Sequence, residues 1–141
     1  MATDLLELQR NEYDCGPAAL ICVLKLNGIN AKYKDIIAIA GTTPEAGTLG
    51  EGIVRVLVQY GFGAKVWNTK KLKDIRGSMG VRPLIVSVDK GNHWVVLLSM
   101  YKNNVVFFDP YYGTTVCSLK KFTKRWRHSD QCLYAIDAGK D

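Results

Sequence analysis

Residues 5–24 read LLELQRNEYDCGPAALICVL, and a cysteine stands where the run of helix-forming residues begins. Apolar residues recur at intervals of three and four as far as Leu24, and Asn27 with Gly28 ends the pattern. This periodicity predicts a helix from about Gly16 to Asn27. A cysteine that serves only packing would more usually lie inside the apolar run, whereas Cys15 lies at its edge.

Two hydrophobic periods divide the chain. In the first half, a helical period predicts three helices, at about residues 16–27, 33–41 and 48–62. After Gly61, short segments rich in Val, Ile, Phe and Tyr alternate with a period of two. They predict strands at residues 63–68, 82–89, 93–101, 104–110 and 131–137. Helices followed by antiparallel strands predict an α+β fold, with an N-terminal helical half packed on a C-terminal antiparallel sheet.

Local patterns refine two of these elements. Thr48 and Glu51, three residues apart, resemble a capping box at the start of the third helix. The segment KNN, residues 102–104, joins two predicted strands and indicates a hairpin. With the turn near Asn103 and Asn104, His93 would face a position near residue 114.

Length and composition limit the class of protein. The chain has 141 residues, 48% of them hydrophobic, which suits a single domain spanning residues 1–141. Its sequence contains neither a membrane-spanning apolar stretch nor a signal-peptide pattern at the start, so a cytoplasmic protein is expected. The four cysteines form no CxxC pattern, and therefore neither a disulfide framework nor a structural metal site is expected.

The net charge of +6 includes one dense basic patch, KKFTKRWRH, residues 120–128. Clustered cations with interleaved aromatics could contact nucleic acid. However, Phe122 and Trp126 are four residues apart, which favours a short amphipathic helix with these rings inward and the charges in solvent. We therefore expect no nucleic-acid partner, and we expect His128 to be solvated.

Cys15 is the first candidate catalytic residue. The first turn of a helix favours a thiolate through its unsatisfied N–H groups and the positive end of the helix dipole. Gly16 allows a close backbone approach, and Pro17 suits the first turn because its missing N–H would have no partner there. A small buried cysteine that only packs at a helix start is the alternative.

His93 and Asp109 are the candidate partners of this cysteine. His93 opens an apolar strand, and Asp109 ends the next strand, so the carboxylate could orient the imidazole. The predicted hairpin register leaves Asp109 a few residues from direct pairing with His93. Alone, His93 could be a structural histidine at a strand end, and Asp109 could be a turn residue before Pro110.

Gln9 lies six residues before the cysteine. An acyl transfer passes through an oxyanion, and an upstream amide could donate to it together with the Cys15 N–H. Exposed glutamines are common, so Gln9 indicates a catalytic site only in combination with Cys15, His93 and Asp109.

The order LQRNEYDCGPAAL, NHWVVL and FFDPYYG resembles the bacteriocin-processing cysteine peptidases, which are papain-like domains usually found at the N-terminus of peptidase-containing ABC transporters. The resemblance covers about residues 5–137. It implies a papain-like cysteine peptidase fold, with Cys15 as nucleophile and His93 as general base. It also implies that Asp109 orients the base and that Gln9 donates to the oxyanion.

The same resemblance implies the substrate and the partners. The expected reaction is cleavage of a leader peptide from a precursor after a double glycine, through an acyl-enzyme and without cofactor or metal. The expected partners are the precursor peptide and an ABC transporter in cis or in trans, which would hold a monomeric domain at the inner face of the membrane. No transmembrane or nucleotide-binding segment follows Asp137, so a free-standing relative and a domain cut from a transporter are both compatible with the sequence.

Two alternatives keep the same residues but change the outcome. A papain-like acyltransferase would pass the acyl group to an amine, and a non-catalytic module would bind a leader without cutting it. The presence of Cys15, His93 and Asp109 argues against the second alternative.

Aromatic residues next to these positions suggest the shape of a substrate site. Trp94 follows the candidate base, and Tyr111 with Tyr112 follows the candidate orienting carboxylate. If they crowd the cleft, residues without side chains would fit best beside the scissile bond. The alternative for Trp94 is simple packing between the two halves of the domain.

Overall fold

The computed structural model describes residues 8–67, 83–89, 93–127 and 133–137. The first part of the chain forms helices α1 (Cys15–Leu26), α2 (Tyr33–Ala40) and α3 (Gly50–Gln59). The second part forms strands β1 (Gly63–Trp67), β2 (Leu84–Val88), β3 (His93–Tyr101), β4 (Asn104–Asp109), β5 (Gly113–Ser118) and β6 (Leu133–Asp137), with helix α4 (Leu119–Arg127) before β6. The prediction for His128 lies outside the described residues.

The strands form one antiparallel sheet in the order β1-β6-β2-β3-β4-β5. The predicted α+β fold, with helices first and an antiparallel sheet after, is confirmed. Strand β5 was not predicted. It lies at the edge of the sheet, where its side chains alternate between half-buried and exposed, so the hydrophobic signal of a strand is weak there.

One face of the sheet packs against the three N-terminal helices. Alternate residues of the central strands, such as Trp94, Val96 and Phe108, lie in one core with Leu20 of α1 and Leu57 of α3. Ten consecutive residues of α1, Cys15 to Leu24, are buried. A helix buried on every side is fixed in place, and its first residue is therefore held in a constant position against the sheet.

Helix α4 covers the opposite face. Phe122 and Trp126 are buried in a second core with Val95, Leu97 and Phe107 of the sheet. The interpretation of residues 120–128 as an amphipathic helix with its aromatic residues inward agrees with this packing. The sheet is thus covered on both faces, and the end where β3 begins and β4 ends lies between the two helical layers.

The hairpin register differs from the prediction. Tyr101 pairs with Asn104, and the register shifts between Leu97 and Ser99, so that Val96 pairs with Phe108. The turn consists of residues 102–103, one position earlier than expected. This shift and the irregularity of register both bring Asp109 closer to the position directly opposite His93. As a result, Asp109 comes diagonally opposite His93, within reach of its side chain.

The predicted capping box at Thr48 is wrong. Helix α3 begins at Gly50 after Leu49, with no side-chain cap. The Thr48 hydroxyl instead shares a hydrogen bond of 2.7 Å with the hydroxyl of Thr42. A partner within the loop between α2 and α3 has therefore replaced the capping bond that the spacing suggested.

Within the described part of the chain, none of the helices has the length and apolar character needed to cross a membrane.

Candidate active site

The start of α1 presents Cys15 at the edge of the first core. The helix begins there because the Ala18 N–H donates to the Asp14 carbonyl oxygen, and Pro17 needs no such bond. Gly16 allows a close approach: a Cβ atom on it would lie 2.5 Å from Cβ of Thr48. The Cys15 side chain is buried, with 6% of the residue exposed.

His93 and Asp109 form a direct side-chain pair at the ends of β3 and β4. Nε2 of His93 lies 2.8 Å from Oδ1 of Asp109. The same carboxylate oxygen accepts the Tyr111 N–H at 2.9 Å. Asp109 is almost fully buried, while 17% of the His93 side chain is exposed. The carboxylate is thus fixed and faces the imidazole.

The charges of this pair follow from its surroundings. Burial lowers the pKa of His93, but hydrogen bonds to Asp109 and Cys15 and the charges of both groups raise it more, to about 9. Burial raises the pKa of Asp109, but the His93 and Tyr111 hydrogen bonds and the charges of His93 and Arg125 give a net pKa below its usual value. An ionised carboxylate only accepts, so Nε2 of His93 carries a hydrogen and Nδ1 is left for Cys15.

Trp94 connects the sheet to both sides of this site. Its backbone N–H donates to Sγ of Cys15 at 3.4 Å, and its indole Nε1–H donates to the Thr48 carbonyl oxygen at 2.8 Å. These two bonds hold α1, the loop before α3 and the start of β3 together. Cys15, which is 78 residues away from His93 in the chain, is in this way placed beside it.

A cleft of about 220 Å³ opens at Cys15. The residues that line it include Tyr13, Gly47, Thr48 and Trp94. Trp94 is therefore both a core residue and part of the cleft wall, and its contact with substrate stays a prediction. Tyr111 and Tyr112 are 57% and 77% exposed and are not among the lining residues, so their contact with substrate stays a prediction.

Gln9 lies in the segment that leads into α1. Its backbone N–H donates to the Pro110 carbonyl oxygen at 2.7 Å, which fixes this segment to the turn after Asp109. The side-chain Nε2 donates to the Asn11 carbonyl oxygen at 2.6 Å, and the buried Oε1 has no hydrogen-bond partner among the described residues. An amide nitrogen carries two hydrogens, so one donor remains beyond the bond to Asn11.

Sequence reasoning missed three residues of this site. Asp14 bonds to Tyr33, 19 residues away, and the Thr48 carbonyl oxygen bonds to Trp94, 46 residues away. Only the position of Asp14 beside Cys15 gave any signal of a role in the site. Among the described residues, no three His, Cys, Asp or Glu side chains are grouped so that they could hold a metal ion.

Comparison with known proteins agrees with this geometry. The model of the peptidase C39 family matches residues 5–132. An uncharacterised protein of Methanothermobacter thermautotrophicus is 30% identical over 126 residues, which are 88% of this chain and 84% of that protein. The lactococcin-G-processing and transport ATP-binding protein LagD of Lactococcus lactis is 28% identical over 122 residues, which are 84% of this chain but 17% of LagD.

Solved structures show the same fold. The peptidase domain of Streptococcus ComA, a bi-functional ABC transporter, matches with a TM-score of 0.79 and 26% identity, covering 93% of this chain and 96% of that domain. A double glycine motif protease from an AMS/PCAT transporter matches with a TM-score of 0.82 and 19% identity, covering 93% and 89% of the two chains. The expected cysteine peptidase fold is confirmed, and the chain belongs to the peptidase C39 family.

Proposed function

We propose that this protein removes a leader peptide from a precursor by cutting after two glycines, with Cys15 as the nucleophile. The observation that supports this most strongly is the convergence of three side chains from α1, β3 and β4. Cys15 accepts a hydrogen bond from the backbone of Trp94, and the neighbouring His93 is paired with the buried Asp109. A thiol, an imidazole and a carboxylate in this order are the groups that acyl transfer requires.

The first step is attack of the Cys15 sulfur on the carbonyl carbon of the scissile bond. The raised pKa of His93 keeps the imidazole protonated near neutral pH, which favours a thiolate–imidazolium pair with Cys15. As the carbon–nitrogen bond breaks, Nδ1 of His93 gives its proton to the leaving amine. Asp109 holds the ring by Nε2 throughout, so that Nδ1 stays directed at the sulfur.

The tetrahedral oxyanion of this step needs hydrogen-bond donors. We assign this role to the backbone N–H of Cys15 and to the amide of Gln9. Preorganised donors of this kind act only as the charge develops, and they lower the barrier without binding the substrate more tightly.

The second step releases the leader. A water molecule gives a proton to the now neutral His93 and attacks the thioester carbonyl carbon. The carbon–sulfur bond breaks, and Cys15 returns as a thiolate beside the imidazolium. The leader leaves as a carboxylic acid, which loses its proton to the solvent and becomes a free carboxylate. The balance requires only water, so no cofactor takes part in the proposed reaction.

The double-glycine substrate is supported by the relatives and by the cleft. Two relatives, LagD and the pediocin PA-1 transport/processing protein PedD, are named as processing proteins. In this chain, Thr48 is fixed by its contacts with Thr42 and Trp94, so the wall beside Cys15 cannot yield easily. A rigid wall at this position favours residues without side chains next to the scissile bond.

The proposed partner is a transporter that exports the product, with the peptidase at its cytoplasmic side. This proposal rests on the relatives, of whose length the chain matches only 17% in LagD and in PedD. The positive charge of the chain also favours association with acidic peptides at low salt.

The test is to incubate the protein with a precursor peptide that carries a Gly-Gly junction, with and without an added amine, and to weigh the products. A leader fragment with a free carboxylate in both reactions supports a peptidase. A leader fragment joined to the amine would show acyl transfer instead. The Cys15→Ala variant is the control, and binding of an intact peptide by both proteins would favour the non-catalytic alternative.

A further inference from the structure

Asp14 is a fully buried carboxylate immediately before Cys15. An aspartate at this position normally accepts hydrogen bonds from the first turn of the helix that follows. Here the side chain makes no such bond. A buried carboxylate without hydrogen-bond partners is costly. The groups that bond to Asp14 therefore indicate what this side chain contributes to the structure.

The carboxylate turns back toward the segment that precedes the helix. Oδ1 of Asp14 accepts the Asn11 N–H at 2.7 Å, and Oδ2 accepts the Arg10 N–H at 3.3 Å. Oδ2 also accepts the hydroxyl of Tyr33, from the first turn of α2, at 2.8 Å. The Arg10 guanidinium in turn lies 4.2 Å from the centre of the Tyr33 ring. Asp14 therefore closes residues 10–14 into a tight loop that is fixed to α2.

This loop holds the side chain of Gln9. The peptide unit that follows Asn11 presents its carbonyl oxygen to Nε2 of Gln9 at 2.6 Å. Asn11 is thus held by Asp14 through its N–H and holds Gln9 through its carbonyl oxygen. A continuous set of hydrogen bonds leads from Tyr33 through Asp14 and Asn11 to the amide of Gln9.

We propose that Asp14 is a positioning residue for the reaction, which sets the place of the Gln9 amide through the backbone of Asn11. The inference rests on the proposed function, because it assigns Asp14 to the oxyanion donor of that reaction. Asp14 itself faces the loop and touches neither substrate nor sulfur in this role. Its carboxyl group is used for the loop rather than for capping α1, which explains why a buried acidic side chain is placed beside the nucleophile.

The role can be separated from a general effect on folding by a double-mutant cycle. We would measure kcat and KM for cleavage of a Gly-Gly peptide by the wild type, Asp14→Asn, Gln9→Ala and the double variant. An asparagine keeps the size of Asp14 but can accept fewer of the three hydrogen bonds. Asp35→Asn, on the exposed side of α2, is the matched control. Tyr33→Phe, which removes one donor and leaves Asp14 in place, serves if Asp14→Asn does not fold.

We expect Asp14→Asn to lower kcat by about tenfold or more and to change KM little, as loss of an oxyanion donor does. In the Gln9→Ala background the same substitution should cost less than about threefold, because the amide that it positions is gone. Tyr33→Phe should show the same coupling with a smaller effect, and Asp35→Asn should resemble the wild type.

A second measurement does not depend on peptide cleavage. The rate of alkylation of Cys15 by a small reagent should not fall in Asp14→Asn, because the thiol and the imidazole keep their places and the substitution adds no negative charge. Losses that multiply in the double variant, or a large fall in the alkylation rate, would overturn the role of Asp14 while leaving the peptidase standing. A wild type that alkylates rapidly but cuts no peptide would overturn both proposals.

Discussion

His93 and Asp109 face each other diagonally across strands β3 and β4, with Nε2 and Oδ1 2.8 Å apart. The approach depends on the irregularity of register near Leu98, which shifts β4 along β3 toward His93. One local departure from regular pairing thereby brings a buried carboxylate to the imidazole beside Cys15.

The pairing predicts how stability depends on pH. The pKa of His93 is about 9 in the folded protein, whereas the ordinary pKa of a histidine is 6.5. The folded state therefore holds this proton more tightly than the unfolded state does. The stabilisation should be complete below pH 6.5 and should disappear as the pH rises through 9, a loss of up to about 3 kcal/mol. Denaturant unfolding of the wild type and His93→Gln at several pH values measures it. A difference between the two proteins that does not change over this range would contradict the pairing.

The cysteines should differ sharply in reactivity. Burial raises the pKa of Cys22 to about 12, and burial also raises the pKa of Cys117. At pH 7 both should be almost entirely thiols, so an alkylating reagent should modify Cys15 first. Peptide mapping after brief treatment of the folded protein identifies the site. Equal labelling of Cys15 and Cys22 would remove the basis for the nucleophile, and Cys15→Ala should fold and show no rapid labelling.

The proposed site residues should not be equal in effect. His93→Ala removes the proton carrier and should lower activity nearly as much as Cys15→Ala. Asp109→Ala leaves the imidazole in place but no longer holds it in one orientation, so some activity should remain. Gln9→Ala should raise the barrier by about 3 kcal/mol, which is on the order of a hundredfold in kcat. Steady-state kinetics on one peptide compares the four variants. Unchanged kcat with weaker binding in Gln9→Ala would place Gln9 in the substrate groove instead.

Gly16 should be intolerant of a side chain. A methyl group there would collide with Thr48, which is held by Thr42 and Trp94, so Gly16→Ala should destabilise the protein by about 1–3 kcal/mol. Displacement of the start of α1 should also slow cleavage on the order of tenfold or more. Gly28→Ala is the control, because its added Cβ meets no atom within 4 Å and only its φ of 77° is unfavourable. Full activity in a Gly16→Ala protein that has lost stability would contradict the role of this close contact in placing Cys15.

The sequence was sufficient for the parts of the fold that depend on local periodicity. The apolar spacing of α1 and the alternation in β3 predicted elements whose cores the structure confirms, and Phe122 with Trp126 predicted the buried side of α4. Strand β5 was not predicted, because it lies at the edge of the sheet and buries few side chains.

The order of the four candidate residues also indicated a candidate site, but the hydrogen bonds that hold these residues could not be inferred. Trp94 and Thr48 are 46 residues apart, and Asp14 and Tyr33 are 19 apart. Hydrogen bonds over such separations arise only when the elements pack. The pattern of Thr48 and Glu51 was misleading for a different reason, because the Thr48 hydroxyl bonds to Thr42 in the loop before α3 and not to the helix.

The most direct test of the proposed activity is cleavage of four peptides that share one leader and differ at the junction, as Gly-Gly, Gly-Ala, Ala-Gly and Leu-Leu. Mass spectrometry of the products over time gives the site and the rate. One added methyl group in a tight pocket costs about 1–3 kcal/mol, so each single alanine should slow cleavage some tenfold to two-hundredfold, and Leu-Leu should be worse. We predict cleavage after the second glycine by the wild type and none by Cys15→Ala. Equal rates for all four junctions, or cleavage that persists in Cys15→Ala, would contradict the account.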